Sequence, residues 1–257
     1  MNVSKINSYE TSFFTEKKDA LGNVFSLENK TIPILNSDET MEYVQCKRDP
    51  NDTSFYYEEK FDKTQIVIHF TAGYLKGDIA TLTTPDNHVS TPFIIGRNGK
   101  ILNMWPSSYW SYHLGRGAIG GNTAGCKKTI AIEMSNIGYL KKVGNDLSSV
   151  YSDTDIYCSL EDTDFYTKLE IPFRGQEYYA TFTEEQYESL IVLLRYLTNQ
   201  YNIPRDFLEI EKRFETGTIE EIPNFRGIVS HINYRNSGKW DFGPAFDWGK
   251  LITGVTR

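Results

Sequence analysis

The segment Thr64–Phe70 constrains the fold of this chain more than any other. Its sequence, Thr-Gln-Ile-Val-Ile-His-Phe, is a nearly continuous apolar run that is rich in β-branched residues. Such a run predicts a strand that is buried on both faces in the middle of a sheet. The strand delivers His69 to its end, where the turn Thr71–Gly73 follows.

A second short apolar run, Ile228–His231, also ends on a histidine, and a polar loop then brings back Lys239 and Asp241. A single histidine at a strand end is more often a hydrogen-bonded structural residue than a ligand. Two histidines placed in the same way favour a metal site, and a carboxylate on a returning loop would be a third ligand.

Glu133 lies inside a third predicted strand, Thr129–Asn136, which is β-branched and alternating. The alternation places Glu133 on one face with Ala131 and Ser135, while the apolar side chains occupy the other face. A buried carboxylate is unfavourable unless it is paired or coordinates a cation. Glu133 is therefore a functional candidate, and the alternative is an exposed acid at a sheet edge.

The remaining patterns predict the elements around these strands. Pro92–Trp105 has the signature of a hairpin, in which Asn98-Gly99 would supply the positive φ angles of a tight turn. Thr183 and Gln186 form a capping box that begins an amphipathic core helix, and Asn202 helps to end it. Together these elements predict an α/β fold, a mixed central β-sheet flanked by α-helices in a single domain.

Residues 1–60 are predicted to be an N-terminal extension packed on the main domain, which occupies residues 61–257. Within that domain, residues 138–182 are polar and rich in Asp and Tyr, with a weak strand signal at Tyr178–Phe182. They are predicted to be a peripheral insertion that could form one wall of a groove.

Composition excludes some classes of function. A net charge of −7 and a pI of about 5.2 argue against binding to nucleic acid or to anionic membranes. No run approaches the roughly 20 apolar residues of a transmembrane helix. We see no secretory signal, so a cytoplasmic protein, a phage-associated protein and one exported by a dedicated route all stay open, as does the oligomeric state.

If His69, His231 and Asp241 converge, two imidazoles and a carboxylate with one open position form a zinc site of the catalytic type. Zinc lowers the pKa of a bound water to about 7, which provides a nucleophile at neutral pH. Glu133 could hold or deprotonate that water, and Lys239 could stabilise an oxyanion. These are the parts needed for amide hydrolysis.

Five segments, in this order, resemble motifs of the zinc-dependent N-acetylmuramoyl-L-alanine amidases, a family that includes phage lysozyme-type amidases and peptidoglycan recognition proteins. They span about residues 62–249 and are Ile66–Gly73, Phe93–Ile101, Trp110–Gly115, Ile130–Met134, and His231 with the following segment Gly238–Trp248.

The resemblance implies zinc on His69, His231 and Asp241, with Glu133 assisting the water and Lys239 stabilising the tetrahedral intermediate. It also implies that two residues of the third motif, His113 and Trp110, contribute to the substrate groove. From the residues alone, His113 could line a pocket or simply form a hydrogen bond in a loop. The implied reaction cuts the amide between N-acetylmuramic acid and L-alanine in peptidoglycan or in a muropeptide.

Two positions depart from the family pattern, and the first motif has one histidine where some relatives have two. Thr91-Pro92 stands where relatives often have a tyrosine or an alanine followed by a histidine, and Phe242 follows Asp241 where a proline is usual. The first departure means that members that use that tyrosine in catalysis are poor models for this chain, and the second predicts a differently shaped loop.

Two other functions stay open for this chain. It could be a non-catalytic module that binds peptidoglycan, or a zinc hydrolase that acts on another amide.

Overall fold

The computed structural model describes residues 3–257, apart from the side chains of residues 3, 4, 5 and 7. In this part of the chain, twelve strands form two sheets and seven helices pack around them. The strands are β1 (Ser26–Pro33), β2 (Thr40–Lys47), β3 (Gln65–Phe70), β4 (Phe93–Ile95), β5 (Ile101–Asn103), β6 (Thr129–Met134), β7 (Tyr139–Val143), β8 (Asp146–Ser148), β9 (Ile156–Ser159), β10 (Tyr166–Phe173), β11 (Gln176–Ala180) and β12 (Gly227–Ser230). The helices are α1 (Val3–Glu16), α2 (Leu75–Leu82), α3 (Asn122–Lys128), α4 (Glu184–Tyr201), α5 (Ile210–Arg213), α6 (His231–Tyr234) and α7 (Trp248–Thr256).

The first sheet has seven strands in the order β1-β2-β5-β4-β6-β3-β12. Strands β4, β6, β3 and β12 run parallel to one another, as do β2 and β5, whereas the pairs β1–β2 and β4–β5 are antiparallel. With helices on both faces, this arrangement confirms the predicted α/β fold with a mixed central sheet.

Strand β3 lies inside the sheet, as its apolar run predicts, with β6 on one side and β12 on the other. Ile66 and Ile68 pack into the core cluster that contains α4 and α7. Val67 points to the opposite face and packs into a separate cluster with Val229 of β12. Burial on both faces explains why this strand lacks the polar alternation of a surface strand.

Helix α4 begins at the predicted capping box. The Thr183 hydroxyl accepts a hydrogen bond from the Gln186 N–H, and the Gln186 side chain accepts one from the Thr183 N–H. The helix ends at Asn202, which has a left-handed conformation with φ of 51°. Its apolar face packs against the first sheet, so the predicted core helix is confirmed.

The predicted hairpin is formed by β4 and β5, but its turn differs in detail. Only Gly99 has a positive φ, 75°, whereas both Asn98 and Gly99 were expected to have one. The Asn98 side chain accepts a hydrogen bond from the Lys100 N–H, at 3.1 Å, and this contact stabilises the turn without a left-handed Asn98.

Residues 1–60 contribute directly to the first sheet, because β1 and β2 form one of its edges. Helix α1 packs against α2, and its Glu10 is buried, where it accepts a hydrogen bond from the Arg97 N–H at 3.2 Å. The domain boundary at residue 60 stays a prediction.

The segment 138–182 forms a second sheet, which is antiparallel and has the order β10-β11-β7-β8-β9. It has its own apolar cluster, which includes Leu140, Leu147, Tyr157 and Tyr178 and is joined by Ile6 of α1. The sequence indicated only the strand that corresponds to β11, because β7 and β10 are largely exposed and β8 and β9 have only three and four residues.

Among residues 3–257, none of the helices has the length and apolar character required to cross a membrane. The three cysteines, Cys46, Cys126 and Cys158, are free and buried.

Candidate metal centre and active site

Three predicted ligands meet at one end of the first sheet. His69, His231 and Asp241 are 1%, 3% and 4% exposed. His69 Nδ1 lies 2.8 Å from His231 Nδ1, and Asp241 Oδ2 lies 3.2 Å from His231 Nδ1 and 3.5 Å from His69 Nδ1. Ligands of a tetrahedral zinc ion, bound at about 2.0–2.1 Å, are about 3.3 Å apart. The three atoms therefore have the spacing of one face of a zinc site.

The register of the parallel strands explains this convergence. Glu133 of β6 is opposite His69 of β3, and Ser230 of β12 is opposite Ile68. His231 follows Ser230 and so reaches the level of His69. Because the carboxyl ends of parallel strands meet at one edge of a sheet, residues far apart in sequence come together there.

His231 is oriented by the backbone of the third motif. Its Nε2 lies 2.9 Å from the carbonyl oxygen of Leu114, which can only accept a hydrogen bond. Nε2 therefore carries the proton, and in the neutral ring Nδ1 presents a lone pair toward His69 and Asp241.

His69 is oriented by a chain of hydrogen bonds behind it. The Thr129 hydroxyl donates to the carbonyl of Gly125 at 3.0 Å and accepts from His113 Nε2 at 2.8 Å. His113 Nδ1 is then an acceptor for His69 Nε2, at 3.1 Å. His69 Nδ1 is left with a lone pair, so two lone pairs and a carboxylate oxygen surround one point. This donor set fits a divalent cation such as zinc.

The electrostatics agree with a metal site. Burial, with the charge of His231 adding to it, lowers the pKa of His69 to about 3, so this imidazole is neutral near pH 7. Burial by itself would raise the pKa of Asp241, but the electrostatic influence of His231 and Lys239 outweighs it and holds that pKa well below its usual range. A neutral imidazole and an ionised carboxylate are the forms that bind zinc.

Glu133 lies in the interior of the sheet, because β6 is flanked by β3 and β4. The alternative of an acid at an exposed edge is therefore wrong. Its Oε2 is buried and has no hydrogen-bond partner among the described residues. Burial raises the pKa of Glu133 well above its usual value, the charge of Asp241 adds to this, and Lys239 opposes it. A half-buried carboxyl that has one buried, unpartnered oxygen and a raised pKa, on the strand next to His69, is typical of a general base.

Lys239 lines a cavity of about 650 Å³ that opens beside His231. His113 also lines this cavity, and it forms a hydrogen bond with His69, a predicted zinc ligand. Both of the roles considered for His113, lining a pocket and forming a hydrogen bond, are therefore present. Arg116 and Arg235 are also in its wall. The cavity is therefore positively charged, although the chain has a net charge of −7.

Trp110 occupies a different place. It is 4% exposed, stacks on Tyr57 with ring centroids 4.3 Å apart, and donates a hydrogen bond to Glu59. It is absent from the described lining of the cavity beside His231. Trp110 thus packs in the interior, away from the other predicted site residues.

Phe242, which follows Asp241 and departs from the family pattern, is buried on the face of the first sheet that α4 covers. Its ring lies 5.6 Å from that of Phe70 and 4.5 Å from that of Phe246, and its peptide bond to Asp241 is cis. The loop therefore directs Asp241 toward the histidines and anchors the next side chain in the core cluster under α4.

Sequence reasoning missed two contributors to the site, Thr129 and Arg174. Thr129 is one threonine among many β-branched residues, and nothing in its surroundings distinguishes it. Arg174 lies in the turn between β10 and β11, and it donates hydrogen bonds to the backbone before Asp241. An Arg-Gly dipeptide between two strands indicates only a turn.

A family model described as N-acetylmuramoyl-L-alanine amidase matches residues 61–244, well over half of the chain. Among curated proteins, the N-acetylmuramoyl-L-alanine amidase AmiD of Escherichia coli (strain K12) is 24% identical over 193 residues. The matched region covers 72% of this chain and 51% of AmiD, so the chain spans about half the length of that relative.

Solved structures are also similar to this chain. A complex of E. coli AmiD with anhydro-N-acetylmuramic acid-L-Ala-D-gamma-Glu-L-Lys has a TM-score of 0.48 and 22% identity, covering 77% of this chain and 59% of that one. AMPDH3 from Pseudomonas aeruginosa has a TM-score of 0.46 and 15% identity, covering 80% and 65%. Because both TM-scores are below 0.5, the assignment to a family rests on the family model.

Proposed function

The chain belongs to the N-acetylmuramoyl-L-alanine amidase family, and from this premise we propose that it is a zinc-dependent hydrolase of peptidoglycan. The bond that it cuts is the amide between N-acetylmuramic acid and L-alanine, in the cell wall or in soluble muropeptides. One observation carries the proposal: His69 Nδ1, His231 Nδ1 and Asp241 Oδ2 lie within 3.5 Å of one another, and Glu133 is opposite His69 in the sheet.

The residues present fit zinc. His69, His231 and Asp241 would hold it, and their buried lone pairs and charge would otherwise face one another without a cation. When bound, zinc acts as a Lewis acid and lowers the pKa of water to about 7.

Glu133 supplies the proton transfers in this proposal. Its carboxylate accepts a proton from the attacking water, and the resulting acid donates a proton to the leaving amine of L-alanine. A raised pKa of Glu133 suits both roles. A carboxylate with a very low pKa is too weak a base to accept the proton of water, and a carboxyl with a very high pKa is too weak an acid to donate a proton to the amine.

Lys239 provides positive charge for the oxyanion that develops on the scissile carbonyl. Its position in the wall of the cavity beside His231 supports this role. A cation placed where charge develops stabilises that charge more strongly than water does, because it needs no reorganisation during the reaction.

The charge of the cavity also fits the proposed substrate. A stem peptide that contains a D-γ-linked glutamate keeps a free α-carboxylate, and its C-terminus is a second carboxylate. Arg116 and Arg235, which line the cavity near Lys239, would attract these groups.

The proposal is tested by incubating the zinc-loaded protein with purified sacculi and with soluble muropeptides. We expect new amino termini of L-alanine, detected by labelling and mass spectrometry, and none with Glu133→Gln. Binding to sacculi without release would instead indicate a recognition module. Cleavage of other amides alone would indicate a different zinc hydrolase.

A further inference from the structure

The loop that carries Lys239 and Asp241 is contacted by the second sheet through Arg174. Arg174 Nη1 donates one hydrogen bond to the carbonyl of Asn236, at 2.8 Å, and one to the carbonyl of Lys239, at 2.6 Å. These two carbonyls are at the ends of a tight turn in which Gly238 has φ of 68°. One guanidinium nitrogen therefore bridges the ends of the turn just before Asp241.

The backbone of the hairpin aims Arg174 at this turn. Phe173 pairs with Gln176, so Arg174 and Gly175 are the two turn residues between β10 and β11, with φ of 49° and 79°. Positive φ at both positions is characteristic of type I′ hairpins, in which Asn, Asp and Gly are favoured. An arginine here is unfavourable for the backbone, and no shorter side chain that suits the turn would present a cation to both carbonyls.

Two neighbouring contacts join the same sheet to the same loop. A Cβ built on Gly243 would lie 2.6 Å from Cδ1 of Phe173, so the ring of Phe173 lies directly against the glycine backbone. The rings of Tyr139 and Trp240 lie 4.6 Å apart. The second sheet thus contacts the loop segment 236–243 on both sides of Asp241.

We propose that the second sheet positions the metal-binding loop, and that Arg174 is a positioning residue for Lys239 and Asp241. The inference rests on the proposed function, since it assigns to this loop a ligand and the oxyanion-stabilising cation. Arg174 acts through the backbone. Its hydrogen bond holds the carbonyl of Lys239, and Asp241 is only two residues further along the chain. Tyr139, Phe173 and Arg174 of the segment 138–182 then support the metal-binding loop, so this segment is not only a peripheral insertion.

The test compares Arg174→Ala with Lys168→Ala, which removes an exposed cation of the same hairpin that pairs with Glu177 and does not contact the loop. Zinc affinity is measured by competition with a chromophoric chelator, and ligand geometry by the visible spectrum of the Co²⁺-loaded protein. We expect Arg174→Ala to bind zinc about 10- to 100-fold more weakly, as is usual when a group that orients a ligand is lost. We also expect an altered Co²⁺ spectrum, and partial recovery of zinc affinity with millimolar guanidinium. Lys168→Ala should match the wild type.

A second pair of variants guards against a general loss of folding. Gly243→Ala forces a methyl group against the Phe173 ring and should weaken zinc binding, and Phe173→Ala in the same chain should restore much of it. Arg174→Ala with wild-type zinc affinity and an unchanged Co²⁺ spectrum would overturn the inference, as would Gly243→Ala that is not rescued. These readouts need no substrate. A protein that shows Arg174-dependent metal binding and cleaves no muropeptide would refute the proposed function and leave the positioning role standing.

Discussion

The two halves of the site are held by different forces. His69, Glu133 and His231 lie on β3 and β6 or directly after β12, where parallel hydrogen bonding and apolar packing on both faces fix the backbone. Lys239 and Asp241 lie on a loop with little regular structure. That half depends on contacts with other parts of the chain.

Contacts of several kinds anchor this loop. The Ile232 N–H donates to the carbonyl of Asp241 at 2.9 Å, Phe242 is buried in the core, and Arg174 bridges two carbonyls. The first sheet therefore determines where the proposed metal centre forms, whereas contacts from other parts of the chain determine whether Asp241, the proposed third ligand, and Lys239 reach it. The following predictions test this difference, beginning with the largest expected effect.

Removing a ligand from either half should abolish zinc binding. We expect native mass spectrometry to find no bound zinc in His69→Ala or in Asp241→Ala, and hydrolysis to fall to background, because two ligands do not make a stable zinc site. The matched control is Glu133→Gln, which should retain one zinc per chain. Wild-type zinc affinity in either alanine variant would show that the ligand is misassigned.

Replacing the proposed base should separate chemistry from metal binding. Glu133→Gln keeps the size of the side chain and removes its proton-accepting charge, so kcat should fall about 10²- to 10⁴-fold while zinc stays bound. Since the carboxylate is the active form, the wild-type rate should fall as the pH drops through the pKa of Glu133. This acidic limb should be absent from the residual activity of Glu133→Gln, and its persistence would assign it to another group.

Lys239 tests the loop half without removing a ligand. Lys239→Ala should lower kcat about 10²- to 10³-fold, the usual effect of losing one oxyanion-stabilising group, with zinc affinity close to that of the wild type. Steady-state kinetics on a soluble muropeptide would measure it, and Lys239→Arg should retain part of the rate. A change confined to KM would instead give Lys239 a role in binding the substrate.

Thr129 tests the strand half at a distance from the metal. Thr129→Val removes the oxygen that accepts from His113 Nε2, so the chain that orients His69 is broken and zinc affinity should fall about 10-fold. Thr129→Ser keeps the hydroxyl and should behave like the wild type in the same chelator competition. Equal affinity in both variants would show that the hydrogen-bond chain does not orient His69.

The sequence predicts the strand half well, for a physical reason. Buried parallel strands need continuous β-branched runs, so β3 is recognisable, and a polar residue within such a run, as with His69 or Glu133, stands out. The helix α4 is predictable for a similar reason, because its capping box is local.

The sequence says less about the loop that carries Lys239 and Asp241. Asp241 was identified by its spacing from His231 and by the resemblance, but its support by Arg174 comes from a turn that is more than 60 residues away in the chain. Most of the second sheet escaped prediction, because β7 and β10 are largely exposed and β8 and β9 are short. Trp110 was grouped with His113 by a shared motif, although neighbouring residues of a loop face different surroundings.

The most direct test of the account is anomalous diffraction at the zinc edge on crystals of the zinc-loaded protein. We expect one peak per chain at bonding distance from His69 Nδ1, His231 Nδ1 and Asp241 Oδ2, with Glu133 nearby and not coordinated. A peak bound through His69 Nε2, a peak that excludes Asp241, or no peak at this end of the sheet would contradict it.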